Sequence, residues 1–227
     1  QLLQPCADRH RDVQGAQGHQ LDRFLVSLFP LLDMRGAGST VPVKVSAAML
    51  RLRFEGCSTE YIKTVCHGRC CHIKSHPMGT VIHVEKAQQG ALLKRGAKFI
   101  KNIMQTVARK CIFHSAGGFC GLHGTLDKPN SCIQSPFILT LKDTLIIRNR
   151  YRKLICFKGH LPGHEPLPAY KAFRSSLNLL FGQLEAQRVV DHLESGGGDV
   201  VAQMLGDRYR LNKEVAETWL GWKQPTP

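Results

Sequence analysis

The chain has 227 residues, 43% of them hydrophobic, which is enough for one ordinary domain with an apolar core. Its 31 lysines and arginines outnumber 17 aspartates and glutamates, so the formal charge is +14. This composition excludes wholesale disorder. No apolar run approaches the ~18 residues that a membrane-spanning helix needs, so we expect no membrane partner.

The positive charge is concentrated in the middle of the chain. Residues 50–160 hold 19 lysines and arginines against 5 acidic residues, whereas residues 161–227 hold 7 against 8. Such an excess can mark a surface for nucleic acid or another polyanion. It can also compensate buried thiolates, which need nearby cations. We favour compensation, because the charge is spread over several segments.

The first 48 residues differ in composition from the rest. Residues 1–20 show no apolar period, and residues 35–40 have a flexible Gly- and Ser-containing composition. We therefore predict a disordered arm or an upstream extension over 1–48, or else an arm with one short helix around Leu21–Leu32. Because Asp8, Asp12 and Asp22 precede the apolar run Phe24–Leu32, a secretory signal is disfavoured and we expect a cytoplasmic protein.

The central part of the chain predicts short strands and one helix. The pattern favours strands at Leu50–Phe54 and Thr80–Val84 and an amphipathic helix over Ala91–Lys110. Phe137–Leu141 and Leu145–Tyr151 flank a plausible turn and predict a hairpin.

The C-terminal part predicts helices. Gly159–Pro168 carries three prolines and indicates a loop, and Pro168–Leu193 is amphipathic. Ser195–Asp199 breaks this helical pattern, and short helices follow over Val200–Trp219, with Asn212 as an N-cap. The fold prediction is α+β: a small irregular metal-nucleated domain over 49–160, and a helical region over 161–227 packed on it.

Nine cysteines carry the chemistry, and we set Cys6 aside as a bystander. The other eight are Cys57, Cys66, Cys70, Cys71, Cys111, Cys120, Cys132 and Cys156. Adjacent cysteines such as Cys70 and Cys71 do not easily form a disulfide with each other, because that bond is strained. They can share a metal, since thiolate sulfurs lie about 2.3 Å from zinc. We therefore predict all eight as ligands of zinc or of an iron–sulfur cluster.

Glycines and histidines surround these thiols. The glycines at 117, 118, 121 and 124 are expected to let backbone N–H groups approach sulfur. The histidines at 67, 72, 114 and 123 lie beside cysteines and are alternative ligands, although a supporting or surface role is the more common one. The cysteines form one short cluster, Cys66–Cys71, and are widely spaced after it, which favours iron or a mixed site over structural zinc.

The order of these residues resembles the zinc- or iron-chelating cysteine-cluster family, the CxxCxxCC or YkgJ-like proteins, to which flagellin N-methylase is related. The matching residues are Cys57, Cys66-His-Gly-Arg-Cys70-Cys71, Cys111-Ile-Phe-His114, Phe119-Cys120-Gly-Leu-His123, Lys128-Pro129-Asn-Ser-Cys132-Ile-Gln-Ser-Pro136-Phe137 and Cys156. His123 stands where the family often has tyrosine, and Lys128 where it often has arginine. The resemblance implies a metal and leaves the activity undetermined.

Other functions remain open from the sequence. A disulfide scaffold also uses an even number of cysteines, but in an oxidising compartment. A zinc-stabilised nucleic-acid-binding module would use the basic segment Arg148–Lys153 as a strand. A metal-dependent redox or methyl-transfer enzyme is a further alternative. A zinc hydrolase would need a carboxylate base; the candidates are Glu55, Glu60, Glu85, Asp127 and Asp143.

Overall fold

The computed structural model describes residues 38–71, 82–108, 110–158 and 164–221, with only the backbone for 217–221. Helices and several small sheets alternate in it, so the α+β prediction is confirmed. The strands are β1 Thr40–Val45, β2 Arg53–Phe54, β3 Ile82–His83, β4 Phe99–Ile100, β5 Ile103–Met104, β6 Thr106–Val107, β7 Lys110–Cys111, β8 Phe137–Leu139, β9 Thr144–Ile147, β10 Leu167–Pro168 and β11 Val200–Leu205. The α-helices are α1 Ala47–Leu50, α2 Thr59–Tyr61, α3 Lys86–Lys94, α4 Asn130–Ile133, α5 Asn149–Arg152, α6 Ala169–Ala172, α7 Arg174–Phe181, α8 Gln183–Glu194 and α9 Gly206–Gly221.

The largest sheet has four strands in the order β11-β1-β9-β8. Strand β1 pairs antiparallel with β11 over its full length and parallel with β9, which forms a hairpin with β8. Helices α7 and α8 pack on this sheet and bury Leu177, Leu180, Val189 and Leu193 against it. We call residues 38–50, 137–147 and 169–216 the sheet region, and its core contains no cysteine.

Two strands of this sheet lie in segments that the sequence predicted as a disordered arm and as helix. Residues 1–37 of the predicted arm lie outside the described residues, but Thr40–Val45 forms an inner strand, with Val43 and Val45 buried. Val200–Leu205, predicted as helical, forms the edge strand beside it. In β1 the valines at 41, 43 and 45 alternate with other residues, and in β11 the buried Ala202 and Met204 alternate with the exposed Val201 and Gln203, which suits strands with one buried face. Asn212, predicted as an N-cap, is buried inside α9.

The remaining part, which we call the cysteine region, covers residues 53–71, 82–132 and 154–157. Its strands are only two residues long and are joined by turns. Its apolar side chains form two small clusters, one around Leu92 and Leu122 and one around Phe54 and Tyr61. The regular elements of this region are thus too short to bury much apolar surface.

The helix predicted over Ala91–Lys110 is wrong for most of its length. The observed helix α3 ends near Arg95, and Gly96 follows with a φ of 87°. A glycine in this left-handed conformation commonly ends a helix. The chain beyond it forms the short strands β4 to β7, because aromatic and β-branched residues such as Phe99 and Ile103 suit strands.

Other predicted elements agree with the structure more closely. The hairpin is confirmed, with Phe137 opposite Ile147. The strand predicted at Leu50–Phe54 shrinks to β2. Of the predicted strand Thr80–Val84, residues 82–83 form β3 and residues 80–81 lie outside the described residues, as do residues 159–163 of the predicted loop Gly159–Pro168. Searched through its described residues, the chain has no helix that combines the length and apolar character needed to cross a membrane.

Candidate metal centre

The chain reverses within the cluster Cys66–Cys71. A π-helix, Ile62–Cys66, ends at His67, whose φ of 49° is left-handed, and Gly68 follows at 61°. A 3-10 helix, Arg69–Cys71, then carries the other two thiols. The reversal separates the thiol that precedes it from the pair that follows it.

Two glycines hold this turn against the loop that carries Cys120. A Cβ atom on Gly68 would run into the carbonyl oxygen of Gly118, and a Cβ atom on Gly118 would lie 2.9 Å from the carbonyl carbon of His67. Both glycines have a positive φ, which other residues rarely adopt. We predicted that Gly118 lets N–H groups approach sulfur, whereas its observed role is to let two backbone segments touch.

Five thiols line one cavity of about 130 Å³, which we call the small cavity. Cys70 and Cys71 come from the 3-10 helix, Cys111 from β7, Cys120 from the glycine-rich loop and Cys132 from α4. Segments this far apart in sequence meet only in the folded chain. The fold therefore brings together five of the eight predicted ligands.

The other three thiols lie in the apolar cluster around Phe54 and Tyr61. They are Cys57, Cys66 and Cys156. All three line an adjoining cavity of about 300 Å³, the large cavity, to which Cys70 and Cys132 also contribute. The eight predicted ligands thus form two neighbouring groups, and the structure has all eight as thiols.

Cys70 and Cys71 form a hydrogen-bonded pair whose pKa values move in opposite directions. The hydrogen bond with Cys71 lowers the pKa of Cys70 to about 7, and the nearby cations Arg150 and Lys128 act in the same direction against burial. The same hydrogen bond, with burial, raises the pKa of Cys71 well above its usual value. Cys70 is therefore poised to ionise near neutral pH, while Cys71 keeps its proton.

Burial controls two other thiols of the small cavity. It raises the pKa of Cys111 to about 11 and that of Cys132 to about 12, with nearby thiols adding to both shifts. A thiolate is disfavoured in such a place unless a strong positive charge compensates it. A coordinated cation reverses this preference, because it deprotonates the thiols that bind it.

Three cationic side chains share the small cavity: Lys128, Arg148 and Arg150. Arg150 donates through Nη2 to the carbonyl oxygen of Cys70 at 2.9 Å and lies over the Tyr151 ring at 4.7 Å. In contrast, Nε and Nη2 of Arg148 are buried with no hydrogen-bond partner among the residues that the structure describes. Burial lowers the pKa of Arg148. A buried guanidinium with unused donors is costly, so this cavity is arranged for negative charge.

The strand predicted through the segment Arg148–Lys153 is wrong. We predicted a strand there and considered it a basic surface for nucleic acid. The structure instead has helix α5, and both Arg148 and Arg150 line the small cavity. One sequence clue to the burial of Arg148 was its position directly after the apolar run Leu145–Ile147, whose last residue is buried.

Histidine takes a smaller part in these cavities than cysteine. His123 lines both cavities, and its Nδ1 lies 3.5 Å from Nζ of Lys128. His114 reaches the backbone instead, with Nε2 at 3.3 Å from the carbonyl oxygen of His67. His72 lies outside the described residues.

The carboxylates considered as hydrolytic bases lie elsewhere. Of those described, none lines either cavity. Three form ion pairs: Glu85 with Arg208 at 2.7 Å, Asp127 with Arg95 at 2.7 Å and Asp143 with Lys213 at 2.6 Å. A fourth, Glu55, lies 2.8 Å from Nδ1 of His164. The fifth, Glu60, is exposed.

The thiols line their cavities without forming a ready-made coordination shell. Within residues 38–71, 82–108, 110–158 and 164–221, no three Cys, His, Asp or Glu side chains are arranged to hold a metal ion. Comparison of the chain with protein-family models, with curated proteins and with solved structures found no match. The resemblance to the cysteine-cluster family therefore stays a prediction.

Proposed function

We propose that this protein binds a metal ion or an iron–sulfur cluster in the small cavity and that this centre holds the cysteine region folded. The ligands would be drawn from Cys70, Cys71, Cys111, Cys120 and Cys132. The observation that carries the proposal is the convergence of five thiols beside the Arg148 guanidinium, whose Nε and Nη2 are buried with no hydrogen-bond partner among the described residues. Cys57, Cys66 and Cys156 line the adjoining large cavity and form a second set of candidate ligands.

The donor set and its surroundings suit such a centre. Four thiolates satisfy either a tetrahedral zinc ion or a cubane cluster, and both assemblies keep a net negative charge. Arg148, Arg150 and Lys128 would compensate that charge, and the buried donors of Arg148 would gain acceptors. When bound, the metal supplies the positive charge that deprotonates Cys111 and Cys132. Binding would require the thiols to close on the metal, as expected where metal binding and folding are coupled.

The nucleic-acid-binding alternative loses one of its arguments. Arg150, in helix α5, and the preceding Arg148 line a cavity instead of forming an exposed basic strand. A nucleic-acid binder that makes several phosphate contacts would lose affinity steeply as salt increases. Retention on a heparin or DNA matrix at moderate salt would revive this alternative.

The test is metal analysis of the full chain, purified without oxygen, together with its absorption spectrum. We expect stoichiometric zinc without visible absorption, or iron with acid-labile sulfide and a broad visible band. The matched variants are Cys132→Ser, which removes a small-cavity thiol, and Cys6→Ser, which removes one that we set aside. Metal lost only from Cys132→Ser supports the proposal, and an equal metal content in both variants contradicts it.

A further inference from the structure

The large cavity has the size and lining of a small-molecule site. Its volume of about 300 Å³ lies at the lower end of the range for ligand pockets. One wall is apolar and is formed by Phe54, Ile133, Leu154 and Phe173. Phe54 and Phe173 pack with ring centroids 4.6 Å apart, so this wall is a fixed surface.

The cationic side chains that line the cavity are Arg69 and Lys128. Arg69 is exposed and therefore lies at the mouth, while Lys128 is partly buried and lies beside His123. Among the described residues that line the cavity, none is an aspartate or a glutamate, and the carboxylate of Glu55, which follows Phe54, contacts Nδ1 of His164 at 2.8 Å. With Cys70 protonated, a ligand inside the cavity would therefore meet positive charge with no carboxylate in the lining to oppose it.

Hydroxyl groups supply further polar contacts. The Tyr151 hydroxyl oxygen accepts a hydrogen bond from Arg150 Nη2 at 3.1 Å, so its own proton remains for another acceptor. Ser176 donates to the carbonyl oxygen of Ile133 at 2.6 Å, and Ser175 is exposed at the edge of the cavity. The polar side of the cavity thus presents donors as well as cations.

From this arrangement we propose that the large cavity binds a small organic anion, a carboxylate on an apolar body. The apolar part lies against Phe54 and Phe173, and the carboxylate faces Arg69, Lys128 and the Tyr151 hydroxyl. Carboxylates bind best where charge and hydrogen-bond donors coincide. The walls and cations belong to the chain itself, so this inference does not rest on the metal. Because Cys70 and Cys132 line both cavities, the bound anion lies beside the thiols of the small cavity.

Benzoate tests the charge selectivity, with benzamide and benzylamine as neutral and cationic probes of similar shape. Each probe is titrated calorimetrically into the full chain, as purified under reducing conditions. We expect benzoate to bind at least about tenfold more tightly than benzamide, the effect of one hydrogen-bonded charge. Benzylamine should bind more weakly than either. Equal affinities for benzoate and benzamide, or no binding of benzoate, would overturn the proposal.

Two variants locate the binding. Arg69→Gln should weaken benzoate about three- to tenfold while leaving benzamide unchanged. Lys63→Gln is the matched control, because Lys63 is exposed on the π-helix that precedes the reversal and is not among the lining residues. Ser175→Phe should block both probes by filling the cavity. If Lys63→Gln weakens benzoate binding as much as Arg69→Gln does, the effect is one of overall charge. That result would contradict the assignment of Arg69 to the binding site.

The metal content of the same samples keeps the two proposals separable. Selective benzoate binding by protein that contains no metal supports this inference and contradicts the proposed function. Stoichiometric metal without selective benzoate binding supports the proposed function and contradicts this inference.

Discussion

The sheet region and the cysteine region bury apolar side chains in very different numbers. Among the described residues, nineteen buried side chains form the core cluster of the sheet region, against seven and six in the two clusters of the cysteine region. The paired strands β1 and β11 are six residues long, whereas β2 to β7 have two residues each. A region with such small clusters lies near the limit at which burial alone stabilises a fold.

The two regions also differ in what their interiors contain. The sheet core is made of aliphatic and aromatic side chains, while each cluster of the cysteine region includes thiols. Small folds that cannot bury enough apolar surface commonly use disulfides or metals instead. The thiols thus lie in the region with the smaller apolar clusters, which is where a metal centre would stabilise the chain most.

The largest effect is expected for Cys132→Ser. Serine removes a thiolate ligand, and structural zinc sites contribute on the order of 10 kcal/mol of apparent folding free energy. The variant should lose its metal, and its cysteine region should become sensitive to limited proteolysis while the sheet region stays resistant. Cys6→Ser should behave like the unaltered protein. A Cys132→Ser variant with full metal content and an unchanged melting temperature would refute this assignment.

The next largest effect is expected for a core leucine of the sheet region. Leu177 is fully buried between α7 and the sheet, so Leu177→Ala should reduce the free energy of unfolding by about 2–5 kcal/mol. Leu184→Ala is the control, because that side chain is 79% exposed on the neighbouring helix. The metal content per folded molecule should be unchanged in both. Chemical denaturation measures this, and equal costs for the two leucines would contradict the assigned core.

A smaller effect is expected at the turn between the cysteines. Gly68→Ala forces a left-handed φ on alanine and presses its Cβ against the Gly118 carbonyl, so it should cost about 1–3 kcal/mol. Gly90→Ala lies inside α3 with open space around it, and should stabilise the helix by about 0.5–1 kcal/mol. Thermal unfolding compares the two. Similar shifts in both variants would argue against the contact between the two cysteine-bearing segments.

The smallest effect is expected for Arg148→Met, which should not reduce the stability of the metal-free protein but should weaken metal binding. In metal-free protein the buried donors of Arg148 have no described partner, so Arg148→Met should be neutral or stabilising. With metal bound, the same variant lacks a compensating charge and should bind zinc or the cluster about tenfold more weakly. A competitive chelator titration measures this affinity. An unchanged affinity would show that Arg148 does not serve the thiols.

The sequence was informative about which cysteines come together and weaker about where helices and strands begin and end. The grouping of the cysteines could be expected from the close spacing of Cys66, Cys70 and Cys71, and the hairpin from its alternating apolar residues. The division into two groups could not, because it depends on the reversal at Gly68 and on contacts between distant segments.

Two predictions failed for different physical reasons. The stripe over Ala91–Lys110 has helical spacing, but Gly96 interrupts it, and the apolar residues beyond it form strands instead. The strand predicted over Leu145–Tyr151 ends at Ile147, and helix α5 follows, with two guanidinium nitrogens of Arg148 buried beside the thiols of the small cavity. In this second case tertiary packing overrides the local pattern.

Hydrogen exchange of the full chain, before and after removal of metal by a chelator, tests most directly whether a metal centre holds the cysteine region folded. We predict that residues 57–71 and 103–132 lose protection after chelation, while strands β1 and β11 and helices α7 and α8 keep theirs. Protection that remains equal in both regions, or is lost equally from both, would contradict the claim that a metal centre holds the cysteine region folded.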